Sequence, residues 1–143
     1  MTPYRELVKQ LSRDEGRISH AYPDSKGYLT IGVGHLVDPR LGGRISETVI
    51  DILLEDDIAE KTLQVRQAIP WSMGLDEVRF GVLINMCFNL GIKGLLGFKN
   101  MLRAMEAGKW EEAAYELADP NYVKDVGDRA HRLAKQLLTG EWQ

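Results

Sequence analysis

Apolar side chains recur along this chain with two different periods. Thr2 and Pro3 form a helix-start signal, a capping hydroxyl followed by proline at the first helical position. Tyr4, Leu7, Val8 and Leu11 then fall on one helical stripe, and Gly16 is placed to end that helix as a left-handed cap. From residue 18 the pattern shortens. Ile18–Tyr22 and Tyr28–Val33 read as strands either side of Pro23–Asp24–Ser25–Lys26–Gly27, a run with strong turn chemistry. A loop through Pro39 and Gly42–Gly43 follows. Ser46 is placed to cap a long helix reaching Ile69, where Pro70 stops it, with Leu54, Ile58, Val65 and Ile69 predicted to share a buried face.

Beyond Gly74 everything reads helical. Val78–Leu90 is apolar on nearly all sides, which predicts the central helix of a bundle, broken at Gly91 and Gly94. Phe98–Ala107, Lys109–Ala118 and Asp128–Leu138 are amphipathic helices separated by Gly108, Asp119–Pro120 and Gly127. The predicted architecture is α+β: one domain with a small antiparallel sheet lobe at about residues 13–60 and a larger helical lobe. The helical lobe comprises residues 1–12 and 70–143, and the helix over residues 46–69 connects the two. No internal repeat or flexible linker interrupts the chain.

Composition narrows the function classes. The chain has 143 residues, 44% hydrophobic and 27% charged, enough apolar material for a single core. Its net charge is −3, and residues 13–60 carry five basic and ten acidic side chains. No basic face of the kind that binds nucleic acid is present. The single cysteine, Cys87, sits in an apolar run and is expected to be buried; it excludes an internal disulfide. Residues 1–12 lack the apolar core of a signal peptide, and no window is expected to reach the roughly 18 apolar residues of a membrane span. The chain is compatible with synthesis in a reducing cytosol, and if its substrate lies outside the membrane another agent must carry or release it.

The chemistry concentrates in residues 15–35, EGRISHAYPDSKGYLTIGVGH. Glu15 ends the first helix, Asp24 occupies the turn between strands, and Thr30 lies on the returning strand. A hairpin can fold Asp24 and Thr30 toward the helix end, giving a cleft with two carboxyls and a hydroxyl. Glycosidic hydrolysis needs that set: one carboxyl protonated to donate to the leaving oxygen, the other ionised to stabilise positive charge or direct water. Apolar packing at a helix end favours the protonated role for Glu15, and an open turn favours the charged role for Asp24.

These residues and several later ones carry a resemblance. Asp14–Gly16, Tyr22–Asp24 and Gly27–His35 resemble the active-site signature of phage T4-type lysozymes, glycoside hydrolase family 24. Asn85–Gly91, Trp110–Ala114, Asp128–Arg132 and Thr139–Trp142 resemble later segments of the same family. The resemblance implies hydrolysis of the β-1,4 bond between N-acetylmuramic acid and N-acetylglucosamine, with inversion and without a cofactor. It implies Glu15 as general acid, Asp24 as second carboxylate and Thr30 as the residue that positions water. Leu36 and Phe88 match saccharide-lining positions, while Met101 and Glu116 stand where smaller polar residues are usual. It further implies a monomeric endolysin acting on peptidoglycan strands after a holin-type membrane pore admits it from the host cytoplasm to the wall.

Other residues have plainer readings. His35 is expected to be a hydrogen-bonded structural support, and Trp71, Trp110 and Trp142 are expected to pack at helix boundaries. Asp57 is an ion-pair candidate by the resemblance, and Glu55–Asp57 reads as a solvated helix face. Arg129 is either a partner of Asp14 or Glu15 or a surface arginine. His20 and His131 lack metal-ligand spacing, so no metal is expected. Two rival activities remain: a lytic transglycosylase, which typically needs one carboxyl only, and a wall-binding module without catalysis.

Overall fold

The protein is described here by a computed structural model. The structure describes residue 6 and residues 12–13, 16–23, 26–27, 29–32, 35–36 and 43–143, with backbone alone for Leu29 and Leu36. It divides into two units, Met1–Ile52 and Leu53–Gln143.

In the first unit, Glu6, Ser12 and Arg13 are helical. Most of the expected first helix lies outside the described residues, but its end is visible. Gly16 has φ 78° and its N–H donates to the Ser12 carbonyl at 3.0 Å, as a left-handed glycine cap requires. Three strands follow: β1 (Ile18–Pro23), β2 (Leu29–Gly32) and β3 (His35–Leu36). They form an antiparallel sheet in the order β1-β2-β3. Tyr22 pairs with Thr30 and Ile18 with Gly32, with an irregularity between them. Gly32, at φ 68°, tolerates the backbone conformation that ends β2. The sequence pattern predicts only the first two strands, because the two residues of β3 show no alternation. The loop expected through Pro39 and Gly42 lies outside the described residues.

Helix α1 (Glu47–Ala68) starts as expected: the Ser46 hydroxyl accepts from the Val49 N–H at 3.3 Å. The chain then turns through a short 3-10 helix, Pro70–Gly74. The predicted buried stripe of α1 is only half realised. Val65 and Ile69 are buried, whereas Leu54 and Ile58 are exposed. Spacing places all four on one side of the helix, but only the C-terminal half of that side meets the core.

The second unit is built around α2 (Glu77–Leu96). Asp76 caps it, accepting from the Arg79 N–H at 3.0 Å. Val82, Leu83, Met86, Cys87 and Leu95 are buried on it. Around it lie α3 (Lys99–Glu106), α4 (Trp110–Leu117), α5 (Pro120–Val126) and α6 (Asp128–Thr139). α4 packs on α3 and α6, and α6 also packs on α2 and α5. Met101, Met105, Leu117, Tyr122, Leu133 and Leu137 bring these helices into the core. Of the two glycines expected to break α2, only Gly91 does so, at φ 75° and ψ 167°; Gly94 remains inside the helix. α5 was not anticipated. Asp119–Pro120 reads as a break, yet the Asp119 carboxylate accepts from the N–H groups of Asn121 and Tyr122, and Pro120 takes the first helical position.

By length and composition α2 could cross a bilayer, contrary to the expectation that no segment approaches that limit. Its buried residues face the bundle and its axis breaks at Gly91, so it serves as the core helix of this unit.

One arginine joins three helix ends. Arg79 Nε donates to the Leu137 carbonyl at 2.7 Å and Nη2 to the Leu138 carbonyl at 3.3 Å. Its guanidinium lies 4.1 Å from the centre of the Trp110 ring. A cation on the last carbonyls of α6 also suits that end of the helix dipole. Gln136 Nε2 adds a bond to the Val78 carbonyl at 2.8 Å. Arg79→Lys keeps the charge but loses the planar fork and the ring stacking. It is expected to destabilise the protein by about 1–3 kcal/mol, the range for hydrogen bonds to charged groups; urea unfolding monitored by circular dichroism checks this.

Candidate active site

Of the expected site residues, Glu15 and Asp24 lie outside the described residues. Thr30 is described and buried, at 4% exposure, on the central strand β2. Its backbone pairs with Tyr22 on one side and Leu36 on the other. The sheet therefore brings Thr30 and Leu36, two of the five expected positions, into direct cross-strand register. A threonine suits that place: its β-branch packs on a pleated surface while its hydroxyl remains able to donate or accept. His35 pairs with Ile31 through the backbone and is exposed. Arg17 Nη1 donates to the Ser12 hydroxyl at 3.3 Å, tying the start of the segment leading into β1 back to the capped helix end.

Phe88 lies on α2 in the second unit and is 43% exposed. The ring stands on the exposed side of the helix, beside the exposed Asn85 and Asn89 and away from the buried Val82, Leu83, Met86 and Cys87. It lines a groove of about 470 Å³ together with Leu54, Ile58, Phe80, Ile84, Asn85, Arg129 and Trp142. Trp142 departs from its expected packing role. It is 61% exposed and lies across Gly81, where a methyl group would come within 2.6 Å of the indole. Trp71 and Trp110 are packed against the core as expected.

Arg129 has a partner that sequence spacing did not indicate. Its Nε donates to Asn85 Oδ1 at 2.9 Å and its Nη2 to the Asn85 carbonyl at 3.3 Å. Asp14 and Glu15, the candidate partners weighed against a surface position, are outside the described residues. Tyr122 likewise donates its hydroxyl to Asn89 Oδ1 at 3.2 Å. Burial pushes the Tyr122 phenol above its usual value, partly offset by the Arg129 charge, so the hydroxyl stays a donor at neutral pH. Neither pair was readable from the sequence, because the partners are 44 and 33 residues apart. The asparagines were the available signal: two amides four residues apart on an apolar helix.

Met101, expected at the cleft, is 1% exposed and belongs to the core. It and Glu116 border a second groove of about 390 Å³ with Lys99, Asn100 and Asp119. Cys87 is buried as expected. Its thiol lies 3.7 Å from Gln64 Oε1, and desolvation raises its pKa. The carboxylates of Glu55, Asp56 and Asp57 stand on an exposed part of α1. Among the described residues no three His, Cys, Asp or Glu side chains converge as a metal site.

Comparison with known proteins bears on the whole arrangement. The Phage lysozyme family profile matches residues 12–136. A Probable T4-type lysozyme 1 of Dictyostelium discoideum is 29% identical, over 94% of each chain. The Endolysin of Salmonella phage P22 is 30% identical over 75% of each. The Pre-baseplate central spike protein Gp5 of Enterobacteria phage T4 is 29% identical over 96% of this chain, which spans 28% of that protein's length.

The exposure of Phe88 leads to a direct test. Phe88→Ala is expected to cost well under the about 3–5 kcal/mol typical of a buried phenylalanine. Leu83→Ala, at a fully buried position of the same helix, should cost about 2–5 kcal/mol. Thermal melts of the two variants side by side check whether Phe88 is free of a core role.

Proposed function

We propose a specific reaction on the premise that this chain belongs to the phage lysozyme family and is a lysozyme-type peptidoglycan hydrolase. The bond cut is the β-1,4 linkage between N-acetylmuramic acid and N-acetylglucosamine. Glu15 protonates the bridging oxygen. Asp24, ionised, stabilises the oxocarbenium-like transition state, and with Thr30 it orients water for a single displacement. Leu36 and Phe88 contact the saccharide. No cofactor takes part.

The observation that carries this reading is the extent of the family match. The matched residues 12–136 include Glu15, Asp24 and Thr30, the positions to which the family resemblance assigns the two carboxylates and the water-positioning hydroxyl. The burial of Thr30 at the centre of the sheet supports a role that requires a fixed hydroxyl. Asp24 follows Pro23 directly in the chain, and Pro23 is paired with Leu29, next to Thr30, in the β1–β2 register.

The proposed setting is that of an endolysin. An endolysin role, supported by the P22 relative, places the chain in the host cytoplasm until a holin-type pore opens the way to the wall. It acts there as a monomer on glycan strands.

Glu15→Gln is expected to abolish clearing of outer-membrane-permeabilised Gram-negative cells with an unchanged melting temperature. Asp24→Asn should do the same, and Thr30→Val should lower the rate about 10²-fold or more while keeping the branched shape, on the scale of lost general acid–base assistance. Full activity of Glu15→Gln overturns the assignment. Mass spectrometry of the released muropeptides provides the second measurement: products carrying added water agree with hydrolysis, and anhydro products mark a lytic transglycosylase instead.

A further inference from the structure

Phe88 stands on the last regular turn of the first segment of α2. Three residues later Gly91 leaves helical space, so the carbonyls of this turn lose the partners that a continuing helix would provide. A helix end of that kind frays unless something else holds it.

Two side chains from the far end of the chain hold it. Tyr122, on α5, bonds Asn89; Arg129, on α6, bonds both the side chain and the carbonyl of Asn85. Asn85 and Asn89 are one helical turn apart, and Phe88 lies between them in sequence. The two gripping residues come from helices joined at Gly127, which has φ 62° and lets α6 start directly where α5 ends. Tyr122 is itself held. It is 4% exposed, with the Phe98 ring edge-on at a centroid distance of 5.2 Å.

The placement of these bonds decides what they do. Asn85, Phe88 and Asn89 are all exposed. The two Arg129 bonds are open to water, which competes for the same partners, and the half-buried Tyr122 bond is a single neutral one, so together they contribute modestly to net stability. What three such bonds do fix is where the turn sits and which way its exposed ring points. A sugar ring packed on an aromatic face needs that ring already in place; ordering it on binding weakens affinity.

We propose that Tyr122 and Arg129 are positioning residues: through Asn89 and Asn85 they clamp the turn that carries Phe88 and so hold its ring ready for the saccharide. This rests on the reading that Phe88 contacts the glycan, and the test separates the two ideas.

The experiment measures kcat and KM on soluble glycan-strand fragments for Phe88→Ala, Tyr122→Phe, Asn89→Ala and the double variant Tyr122→Phe with Phe88→Ala. Tyr122→Phe keeps the buried ring and removes only the hydroxyl. It and Asn89→Ala should each raise KM about three- to tenfold, the scale of one neutral hydrogen bond, with kcat and melting temperature nearly unchanged. Arg129→Lys, which keeps the charge and loses the fork, should move KM in the same direction. In the Phe88→Ala background, Tyr122→Phe should change KM by less than about twofold, because contacts acting through one group are not additive. A second readout needs no activity. Protein labelled with 4-fluorophenylalanine has three fluorine sites, and Asn89→Ala, which adds no phenylalanine, should shift and broaden the Phe88 resonance while leaving that of Phe80 in place. If Phe88→Ala raises KM but Tyr122→Phe does not, or acts equally with and without Phe88, the clamp is overturned and the role of Phe88 stands. If Phe88→Ala leaves KM unchanged, the glycan contact fails and the clamp fails with it.

Discussion

A helix that is apolar on nearly every side is stable in water only when other elements surround it, and α2 imposes that demand on the second unit. The helices after it are short, seven to twelve residues each, below the length at which isolated helices persist. They hold together because each lays buried residues against the others and α2: Met101 and Met105 from α3, Leu117 from α4, Tyr122 from α5, Leu133 and Leu137 from α6. Flexible methionines suit this junction of short helices, where the gaps between side chains are irregular.

Polar groups are placed where this core reaches its edges. Arg79 and Gln136 close the end of α6 onto the first turn of α2, and Arg79 satisfies the Leu137 and Leu138 carbonyls, which lie in the last turn of α6 and would otherwise lack partners. At the other end of the regular part of α2, Asn85 and Asn89 receive Arg129 and Tyr122. The exposed Phe88 therefore stands on a helical segment fixed at both ends, the arrangement that the proposed saccharide contact would use.

Much of this was legible because period and punctuation agreed. The apolar run at residues 78–90, the cap at Ser46, the stop at Pro70 and the glycine at position 16 each have a local physical cause, and each appears where expected. The misses share a different cause. α5 was hidden because Asp119–Pro120 serves equally as a break and as a start. β3 is too short to show alternation. The exposed half of the α1 stripe and the open position of Trp142 depend on what lies opposite them, which spacing along one helix does not encode. The candidate site divides in the same way. Glu15, Asp24 and Thr30 are close in the chain and carry a recognisable order, so they could be named from the sequence. The pairs Arg129–Asn85 and Tyr122–Asn89 are made only by the fold.

The burial of Cys87 makes the molecule its own strain gauge. It is the chain's one thiol, it is fully covered at the centre of α2, and desolvation keeps it in the unreactive protonated form. An alkylating reagent in solution reaches it only when the helices around α2 part, so the speed of capture records how often the bundle opens. Two copies cannot be joined through sulfur while folded, and passage from a reducing compartment to an oxidising one leaves that thiol unpaired as long as the bundle stays closed.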